Sequence, residues 1–292
     1  MTLFSQVIQY TISGITSGSI YAVIGICWSV VYLITKVLNF TSGEFVMLGG
    51  MLTWAYANAG MSLFLSAGLS IVTAVLIAAL LERLVINPVR YPTETTYMLI
   101  TIAAASVIKG VILLTCGTDA RRIRPFLEIE PIEILGATLV PQTLVVLGVL
   151  SIVTLVLWSF LKYTLLGKAL QASSINPVGA SLIGIEISRF RLFCFALAGA
   201  LGAISGIVIA PVSFTGYNLG FMVGVKGLVV AIVGGWTIAG TVAAGLALGL
   251  VEGFAAGFIS SGWKDAIALF AMIIFLLLRT VDFSKRLRKA QP

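Results

Sequence analysis

The sequence contains no histidine and few charged residues: Asp, Glu, Lys and Arg make up 10% of its 292 positions. Soluble domains carry about 25% of these residues, so the composition excludes an ordinary soluble domain. Without histidine, the chain lacks the commonest general base and metal ligand. It also lacks the GxxxxGK[ST] phosphate loop and the GxSxG motif of hydrolases. We therefore expect no enzyme activity, no metal site and no cofactor bound by this chain.

Cysteine is also scarce, and its spacing excludes a disulfide framework. Cys27, Cys116 and Cys194 stand far apart in or beside apolar stretches, with no CxxC pair. This pattern predicts isolated core thiols. The formal charge of +7 lies in short connections and in the tail, where basic residues orient a membrane protein. We therefore expect membrane lipid, and no nucleic acid, as a partner of this chain.

Long apolar stretches dominate what is present. Hydrophobic residues make up 59% of the sequence, and its mean hydropathy is +1.11. Several windows of about 20 residues carry one charge or none, which is enough for a helix to cross a bilayer. We predict a single transmembrane domain over residues 1–292, folded as an all-α polytopic helix bundle. Its apolar segments are 5–34, 45–57, 62–82, 95–116, 141–161, 190–210, 221–238, 240–261 and 264–281.

Two of these segments, 45–57 and 221–238, are short, and the second is interrupted by Gly224, Gly227 and the pair Gly234-Gly235. We predict that both are broken or re-entrant, which gives eight or nine membrane segments in all. The first also holds a pair, Gly49-Gly50. Short, glycine-interrupted segments in corresponding halves of a chain indicate a central pathway built from repeats. Close packing of helices is the alternative explanation of the same glycines.

The connections between segments carry three signals. Asn87-Pro88 and Tyr91-Pro92 end the third segment, because proline disfavours continuation of a helix. Within the stretch 117–142, residues 129–135 (IEPIEIL) alternate apolar and acidic residues and predict a small extracytoplasmic hairpin. Its acidic cluster, Glu128, Glu130 and Glu133, is interpreted as a solvated face.

The polar stretch 162–191 separates the two apolar halves. Gly167 is predicted to end or bend the extension of the fifth helix. Asn176 followed by Pro177 favours a helix start, with asparagine as the cap and proline at the first helical position. Gly184 suits the left-handed residue that ends a helix. These signals predict a short, rigid helical segment, with an ordinary amphipathic loop as the alternative.

Basic residues favour one side of the membrane. If the polar stretch is cytoplasmic and the crossings alternate from it, that side receives most of the 18 Lys and Arg residues, as the positive-inside rule requires. We therefore predict a multi-pass cell-membrane protein with a cytoplasmic C-terminus. The basic residues on that side are Lys36, Arg83, Arg90, Lys162, Lys168, Arg189, Arg191, Arg279, Lys285, Arg286, Arg288 and Lys289.

Within the apolar segments, small residues and a few charges form a second set of signals. Gly245, Gly249, Gly253 and Gly257 recur every fourth residue and predict close approach of another helix, within the chain or between subunits. Ionisable residues are costly in a bilayer and each requires an explanation. Glu44 either caps its helix or lines a pathway, and Glu252 either bonds to a neighbouring helix or lines a pathway. Lys109 is interpreted as reaching towards the membrane surface.

Three separated stretches together resemble the ABC-transporter permeases of the branched-chain amino-acid class, of the LivH type. They are residues 14–50, 167–211 and 227–279. The first contains the Asn-Phe-x-x-Gly-Glu core of that family as Asn39, Phe40, Gly43 and Glu44. The second contains the pattern of its cytoplasmic loop as Gly167, Asn176, Pro177, Ala180, Gly184, Ile185, Arg189 and Arg191. The chain departs from the family at Leu170, Gln171 and Ser42, which leaves the class intact and the substrate open.

The resemblance implies an ABC importer permease fold and a division of labour among subunits. Two homologous permeases, expected to be different chains, would form the pathway. Two cytoplasmic ATPases would use ATP, and an extracytoplasmic solute-binding protein would deliver the substrate. The polar stretch would dock on an ATPase through the coupling residues Gly167, Lys168, Asn176, Pro177, Ala180, Gly184 and Ile185. For Asn39, Gly43, Glu44 and Glu252, a pathway role and a structural role both remain open.

Branched-chain amino acids are the substrate that this resemblance favours. Urea and short amides, other small organic solutes, and simple sugars or nucleosides are the alternatives, because importers of these solutes have related permeases. A membrane scaffold or membrane enzyme is the alternative from another class, although the sequence contains no catalytic constellation for it. The ligand of the cognate binding protein would distinguish the transport alternatives.

Overall fold

The computed structural model of the chain describes residues 3–89, 93–127, 129–134, 136–182 and 184–289. Side chains at positions 34, 134, 177, 178 and 278–289 are outside this description. Arg90, the Tyr91-Pro92 pair and Glu128 therefore lie outside the described residues. The side chains of Pro177 and of the basic tail, which comprises Arg279, Lys285, Arg286, Arg288 and Lys289, lie outside them as well.

The described residues form eleven α-helices and one two-stranded β-hairpin. Nine of the helices correspond in order to the nine apolar segments, and the other two, α6 and α7, fall in the polar stretch. The elements are α1 (Leu3–Thr35), α2 (Thr41–Asn58), α3 (Leu63–Leu81), α4 (Glu94–Cys116), β1 (Ile132–Ile134), β2 (Ala137–Leu139), α5 (Gln142–Tyr163), α6 (Leu165–Ile175), α7 (Pro177–Leu182), α8 (Ile187–Ile209), α9 (Leu219–Val233), α10 (Ile238–Phe258) and α11 (Lys264–Lys289).

Helix lengths distinguish full crossings from shorter segments. In the described part of the chain, six helices are long and apolar enough to cross a membrane: α1, α3, α4, α5, α8 and α10. At 1.5 Å per residue, α2 is about 27 Å long and α9 about 22 Å. These two helices are the short segments that the sequence predicts, and the all-α polytopic fold is confirmed.

Of the breaks predicted in the second short segment, the one at Gly234-Gly235 is confirmed and those at Gly224 and Gly227 are wrong. α9 continues without interruption through Gly224 and Gly227 and ends only at Gly234. Both internal glycines lie at helix contacts: a Cβ at Gly224 would be 2.8 Å from Gly43 Cα, and Gly227 packs on Ile24. These two glycines therefore allow close approach of neighbouring helices. Because glycine has no side chain, the backbone or side chain of the neighbouring helix fills the space beside it.

The two Gly-Gly pairs occupy different kinds of position. Gly49 and Gly50 lie inside α2, against Ala203, Thr215 and Gly206. Gly235, in contrast, ends α9 with a left-handed φ of +65°, and the next residue, Trp236, also has a positive φ of 60°. The first pair is a packing surface and the second is a helix stop, so the pairs are not equivalent positions of a repeat.

α1 and α2 form the centre of the bundle. α2 is buried from Thr41 through Met51, where it packs against α8 and α9. α3, α4 and α5 lie outside and expose apolar side chains such as Leu76, Val107 and Ile152. A helix in contact with hydrocarbon has this composition.

Contacts between loops define two ends of the bundle. At the first, which we call the hairpin end, Gln9 exchanges two hydrogen bonds with Thr138 of β2, and Arg121 pairs with Thr215 in an isolated bridge. The hairpin confirms the prediction for residues 117–142, with Glu133 opposite Thr138. At the other end, Arg191 at the start of α8 contacts Glu82, at the end of the third membrane segment.

Candidate functional site

The polar stretch folds into α6 and α7, which together with their flanking turns we call the connector (residues 164–186). α6 begins because Thr164 leaves the helical conformation, with φ −94° and ψ 148°, and its hydroxyl accepts a hydrogen bond from Gly167 N at 2.9 Å. The same hydroxyl donates to Phe160 O at 2.6 Å. The prediction that Gly167 ends the fifth helix is therefore wrong. The break lies at Thr164, and Gly167 packs on the backbone of Phe160 and Leu161.

The second half of the connector has the predicted boundaries. α7 begins at Pro177, and Asn176 Oδ1 accepts a hydrogen bond from Gly179 N at 2.9 Å. After the helix, Gly184 has a φ of +88°, and Ile185 N donates to Ala180 O at 3.1 Å. This is the left-handed helix stop that the sequence predicts. Local caps thus fix both helices of the connector.

The connector exposes an unusual amount of apolar surface. Leu165 is 86% exposed, Ile175 85% and Leu182 82%, although the helices that carry them are polar and short. Lys168 is exposed on α6 beside them. Large apolar side chains exposed outside the apolar segments are a feature of protein interaction sites. The sequence contains these residues, but their exposure depends on which face of α6 and α7 meets the bundle.

The predicted coupling residues divide between the two faces of the connector. Lys168, Asn176 and Gly184 are exposed. Gly167 and Ala180 are buried, and Ile185 is half-buried. The buried residues can hold the connector to the bundle but cannot offer their side chains to a partner.

A buried ion pair fixes the exit of the connector. Arg191 Nε donates to Glu82 Oε1 at 2.7 Å, and Glu82 is only 1% exposed. Arg191 also donates to Asn87 Oδ1, as does the Ser188 hydroxyl at 3.2 Å. The start of α8 is therefore tied to the π-helical turn Glu82–Ile86 that ends α3. The sequence predicted that Arg191 lies at this membrane boundary. It did not identify Glu82 as the partner of Arg191, because the two residues are 109 positions apart.

Inside the bundle, Lys226 is the centre of a paired charge network. Its ammonium group donates to Glu252 Oε2 at 2.8 Å, to Asp265 Oδ1 at 2.7 Å and to Tyr21 Oη at 2.9 Å. Tyr21 in turn donates to Glu252 Oε1 at 3.1 Å, and Lys264 Nζ lies 3.6 Å from the same oxygen. We call these five residues the Lys226 network. The network joins α1, α9, α10 and α11. It also supplies hydrogen-bond partners for both carboxylate oxygens of the buried Glu252.

The glycine ladder lies beside this network and brings α10 against α1. Gly253 faces Tyr10 and Gly14, and a Cβ at Gly253 would lie 2.7 Å from Tyr10 O. Gly249 faces Gly14 and Gly18, Gly245 faces Ala22, and Gly257 meets the Tyr10 ring. In the structure the ladder is therefore a contact within the chain.

Glu44 lies in the first turn of α2, at the contact between α2 and α9. Gly43 and Gly220 bring the two backbones together, and a Cβ at Gly220 would be 2.7 Å from Glu44 Oε2. Glu44 is 3% exposed, and its Oε2 has no hydrogen-bond partner among the described residues. Asn39 caps the helix instead, since its Oδ1 accepts a hydrogen bond from Thr41 N at 3.1 Å. The capping role considered for Glu44 is thus filled by Asn39.

Lys109 of α4 is the cation that faces this region. Its ammonium group lies 5.3 Å from the centre of the Tyr217 ring, just before α9 begins. In the part of the chain that the structure describes, neither Lys109 nor Glu44 forms an ion pair within 4.0 Å. Lys109 therefore faces the start of α9, and its reach towards the membrane surface stays a prediction.

Comparison with known proteins gives one family and one fold. A family profile described as "Branched-chain amino acid transport system / permease component" matches residues 10–277. The high-affinity branched-chain amino acid transport system permease protein LivH of Escherichia coli K12 is 27% identical, over 94% of each chain. The ribose import permease protein RbsC of Haemophilus influenzae is 22% identical, over 76% of this chain and 67% of its own. The solved structure "PsaBC from Streptococcus pneumoniae in complex with Fab" resembles the fold, with a TM-score of 0.51 at 15% identity, and covers 94% of this chain and 90% of that one.

A polytopic helix bundle with a capped connector outside its apolar segments is the architecture of a membrane permease subunit. The family match covers most of the chain, and the chain therefore belongs to the branched-chain amino acid transport system permease family. The resemblance stated from the sequence motifs is confirmed. The roles of individual residues are a separate question, which the contacts above make testable.

Proposed function

We propose that this chain is a permease subunit of an ATP-driven importer for branched-chain amino acids. A second homologous permease, expected to be a different chain, would complete the pathway. Two cytoplasmic ATPases and an extracytoplasmic solute-binding protein would complete the importer. The observation that carries the proposal is the connector, a rigid helical segment that exposes large apolar side chains outside the membrane segments.

The connector has the mechanical properties that an ATPase docking element requires. Caps at Thr164 and Asn176 and the stop at Gly184 make it stiff. Its exit is tied to α3 through Arg191 and Glu82, and α8 then packs on the central helix α2. Movement of a docked partner would reach the core of the bundle through these contacts, because packed helices transmit displacement rather than absorb it.

We assign the connector to the cytoplasm and the hairpin end to the outside. The helices alternate between the two ends, and the connector end carries Lys36, Arg83, Lys168, Arg189 and Arg191. The positive-inside rule favours this orientation. α10 ends beside Tyr10 at the hairpin end, so α11 would lead back and leave the C-terminus in the cytoplasm. The protein would then lie in the inner membrane of a prokaryote.

ATP is assigned to the partner subunits, because the sequence lacks a phosphate loop. Branched-chain amino acids are favoured as the substrate because the LivH relative matches 94% of both chains, whereas the RbsC relative matches less of each. Simple sugars form the second candidate, on the basis of that RbsC similarity. Urea, short amides and other organic solutes follow.

Uptake into proteoliposomes tests the proposal directly. The vesicles would contain the purified permease pair, its ATPases and its binding protein, with ATP inside. We expect uptake of leucine, isoleucine or valine, and none without the ATPases. Uptake of ribose or urea in place of these amino acids would overturn the substrate assignment. A transport-competent protein that needs no ATPase would overturn the importer.

The docking role of the connector has its own test in the variant Gly184→Val. A β-branched side chain at a positive φ costs roughly 1–2 kcal/mol, which should distort the end of α7. We expect membrane insertion and ATP hydrolysis to persist while leucine uptake per ATP falls about tenfold or more. Gly148→Val is the matched control, because Gly148 of α5 faces open space. Normal ATP-driven uptake by Gly184→Val would contradict the coupling role.

A further inference from the structure

A pocket opens at the hairpin end beside the start of α9. Its wall includes Thr118, Phe214, Tyr217, Asn218, Leu219 and Met222. Phe214 is 60% exposed and Met222 59%, so these large apolar side chains have no cover within the described chain. The pocket therefore combines apolar walls with the polar groups of Thr118, Tyr217 and Asn218.

One wall of the pocket lies next to two charged residues that form no ion pair among the described residues. Lys109 lies against Tyr217, which forms part of the pocket wall. Three residues further along, Gly220 meets the carboxylate of Glu44. The pocket wall, Lys109 and Glu44 therefore all lie against the short segment 217–222 at the start of α9. By helix rise, Lys109 is about 11 Å and Glu44 about 21 Å from the hairpin-end termini of α4 and α2.

A carboxylate buried without a hydrogen bond is expensive, and one near a cation normally forms an ion pair with it. Glu44 and Lys109 instead stay out of direct contact, with Glu44 Oε2 unpartnered. An arrangement of this kind suits a ligand that brings its own opposite charges. The ammonium group of such a ligand would bond to Glu44, and its carboxylate would bond to Lys109.

We propose that Glu44 and Lys109, together with the pocket at Phe214, Tyr217 and Met222, form a transient binding site for a zwitterionic amino acid with an apolar side chain. This inference rests on the proposed import function and adds the place and orientation of the substrate. The apolar side chain contacts Phe214 and Met222. The two backbone charges contact Glu44 and Lys109, each of which offers a charge-assisted hydrogen bond.

Photolabelling combined with uptake tests this site. The probe is a diazirine analogue of leucine, which keeps both charges and a branched side chain. It is supplied with binding protein and ATP to proteoliposomes that contain the complete importer. We expect label in peptides that cover residues 109–118 or 214–222, and excess leucine should remove it. Label confined to other peptides, or label that leucine does not displace, would overturn the site.

Variants give the second measurement. Glu44→Gln and Lys109→Met should each lower leucine uptake and site labelling by roughly tenfold or more, as loss of a charge-assisted hydrogen bond predicts. Glu133→Gln, in the exposed hairpin, and Lys36→Met, at an exposed lysine over the Tyr32 ring, are the matched controls and should stay within about twofold. Variants that match their controls would overturn the site.

The charge-swapped double variant, Glu44→Lys with Lys109→Glu, separates a binding site from a structural pair. A structural pair attracts equally in either direction, so the swap would restore uptake and would overturn the proposal. An oriented zwitterion would meet the wrong charge at both ends, so we expect the charge-swapped protein to fold but not to take up leucine. If wild-type vesicles take up no amino acid, the proposed function fails and this site fails with it. If they take up leucine but the label lies elsewhere, only the site fails.

Discussion

The bundle contains two groups of intramembrane charges that are satisfied in opposite ways. In the Lys226 network, Lys226 has three acceptors and Glu252 is bonded through both oxygens. At the other group, Glu44 Oε2 has no partner and Lys109 has only the face of Tyr217 among the described residues. A charge that is fully paired within the chain has no bond left for a ligand, and removal of its partner destabilises the fold, whereas an unpaired charge is available to a ligand.

The location of each group agrees with this distinction. The Lys226 network joins four helices beside the glycine ladder, where α1 and α10 approach most closely. Lys109 lies against Tyr217 of the pocket at the hairpin end, and Glu44 lies against Gly220, next to the pocket residues Leu219 and Met222. The first group is bonded within the chain, whereas the second lies beside the wall of a pocket. We therefore treat the first as structural and the second as functional, and the following variants test that division.

The largest expected effect is that of Lys226→Met. It leaves Glu252 and Asp265 without their shared cation, and removing one partner of a buried pair costs about 3–5 kcal/mol. We expect a fall of roughly 10 °C in the melting temperature of the purified protein, at about 2–4 °C per kcal/mol. The measurement is thermal unfolding in detergent or lipid nanodiscs. Lys36→Met, at an exposed lysine, is the control and should melt like the wild type.

The double variant Lys226→Met with Glu252→Gln shows whether the charge itself is responsible. Replacing both members of a buried pair by neutral groups is often close to neutral in stability. We therefore expect the double variant to recover a large part of the loss, with Asp265 hydrated because it is half exposed. A double variant no more stable than Lys226→Met alone would contradict an electrostatic cause.

A smaller loss is expected from Gly249→Ala, which tests the packing that surrounds the Lys226 network. A Cβ at Gly249 would overlap the backbone of Gly14 and Gly18, and overpacking of this kind costs about 1–3 kcal/mol. Gly148→Ala is the matched control, since nothing lies within 4 Å of its added Cβ. It should be neutral or slightly stabilising, because alanine favours a helix. Equal melting temperatures for the two variants would show that the α1–α10 contact is looser than described.

Features that depend on neighbouring residues could be predicted from the sequence. The start of α7 follows from Asn176-Pro177, its end from Gly184, and the close contact of α10 from glycines at every fourth residue. These signals act within one or two helical turns. The breaks predicted at Gly224 and Gly227 were wrong, because glycine also occurs where two helices pack closely. Gly224 and Gly227 meet Gly43 and Ile24, and only the tertiary packing separates a contact glycine from a helix breaker.

The charged groups show the other limit of the sequence. Glu252 and Lys109 were recognised as unusual, but their partners were not. Lys226 is 26 residues from Glu252 and 205 from Tyr21. Such pairs depend on how helices rotate against each other, which hydrophobic periodicity constrains only weakly in helices that are apolar on all sides. The same ambiguity hid the exposed leucines of the connector and the unpartnered Oε2 of Glu44.

The smallest stability effect belongs to Glu44→Gln, and its sign distinguishes the two groups most directly. The substitution removes a buried charge that has no hydrogen bond at Oε2, so the lost attraction to Lys109 is offset by a lower desolvation cost. We expect the melting temperature to stay within about 2 °C of the wild type or to rise, although leucine uptake falls. Glu252→Gln should lower the melting temperature instead, because it removes a charge that Lys226 and Tyr21 hold directly. If both variants melt alike, satisfied and unsatisfied charges do not differ in role, and Glu44 returns to the structural group.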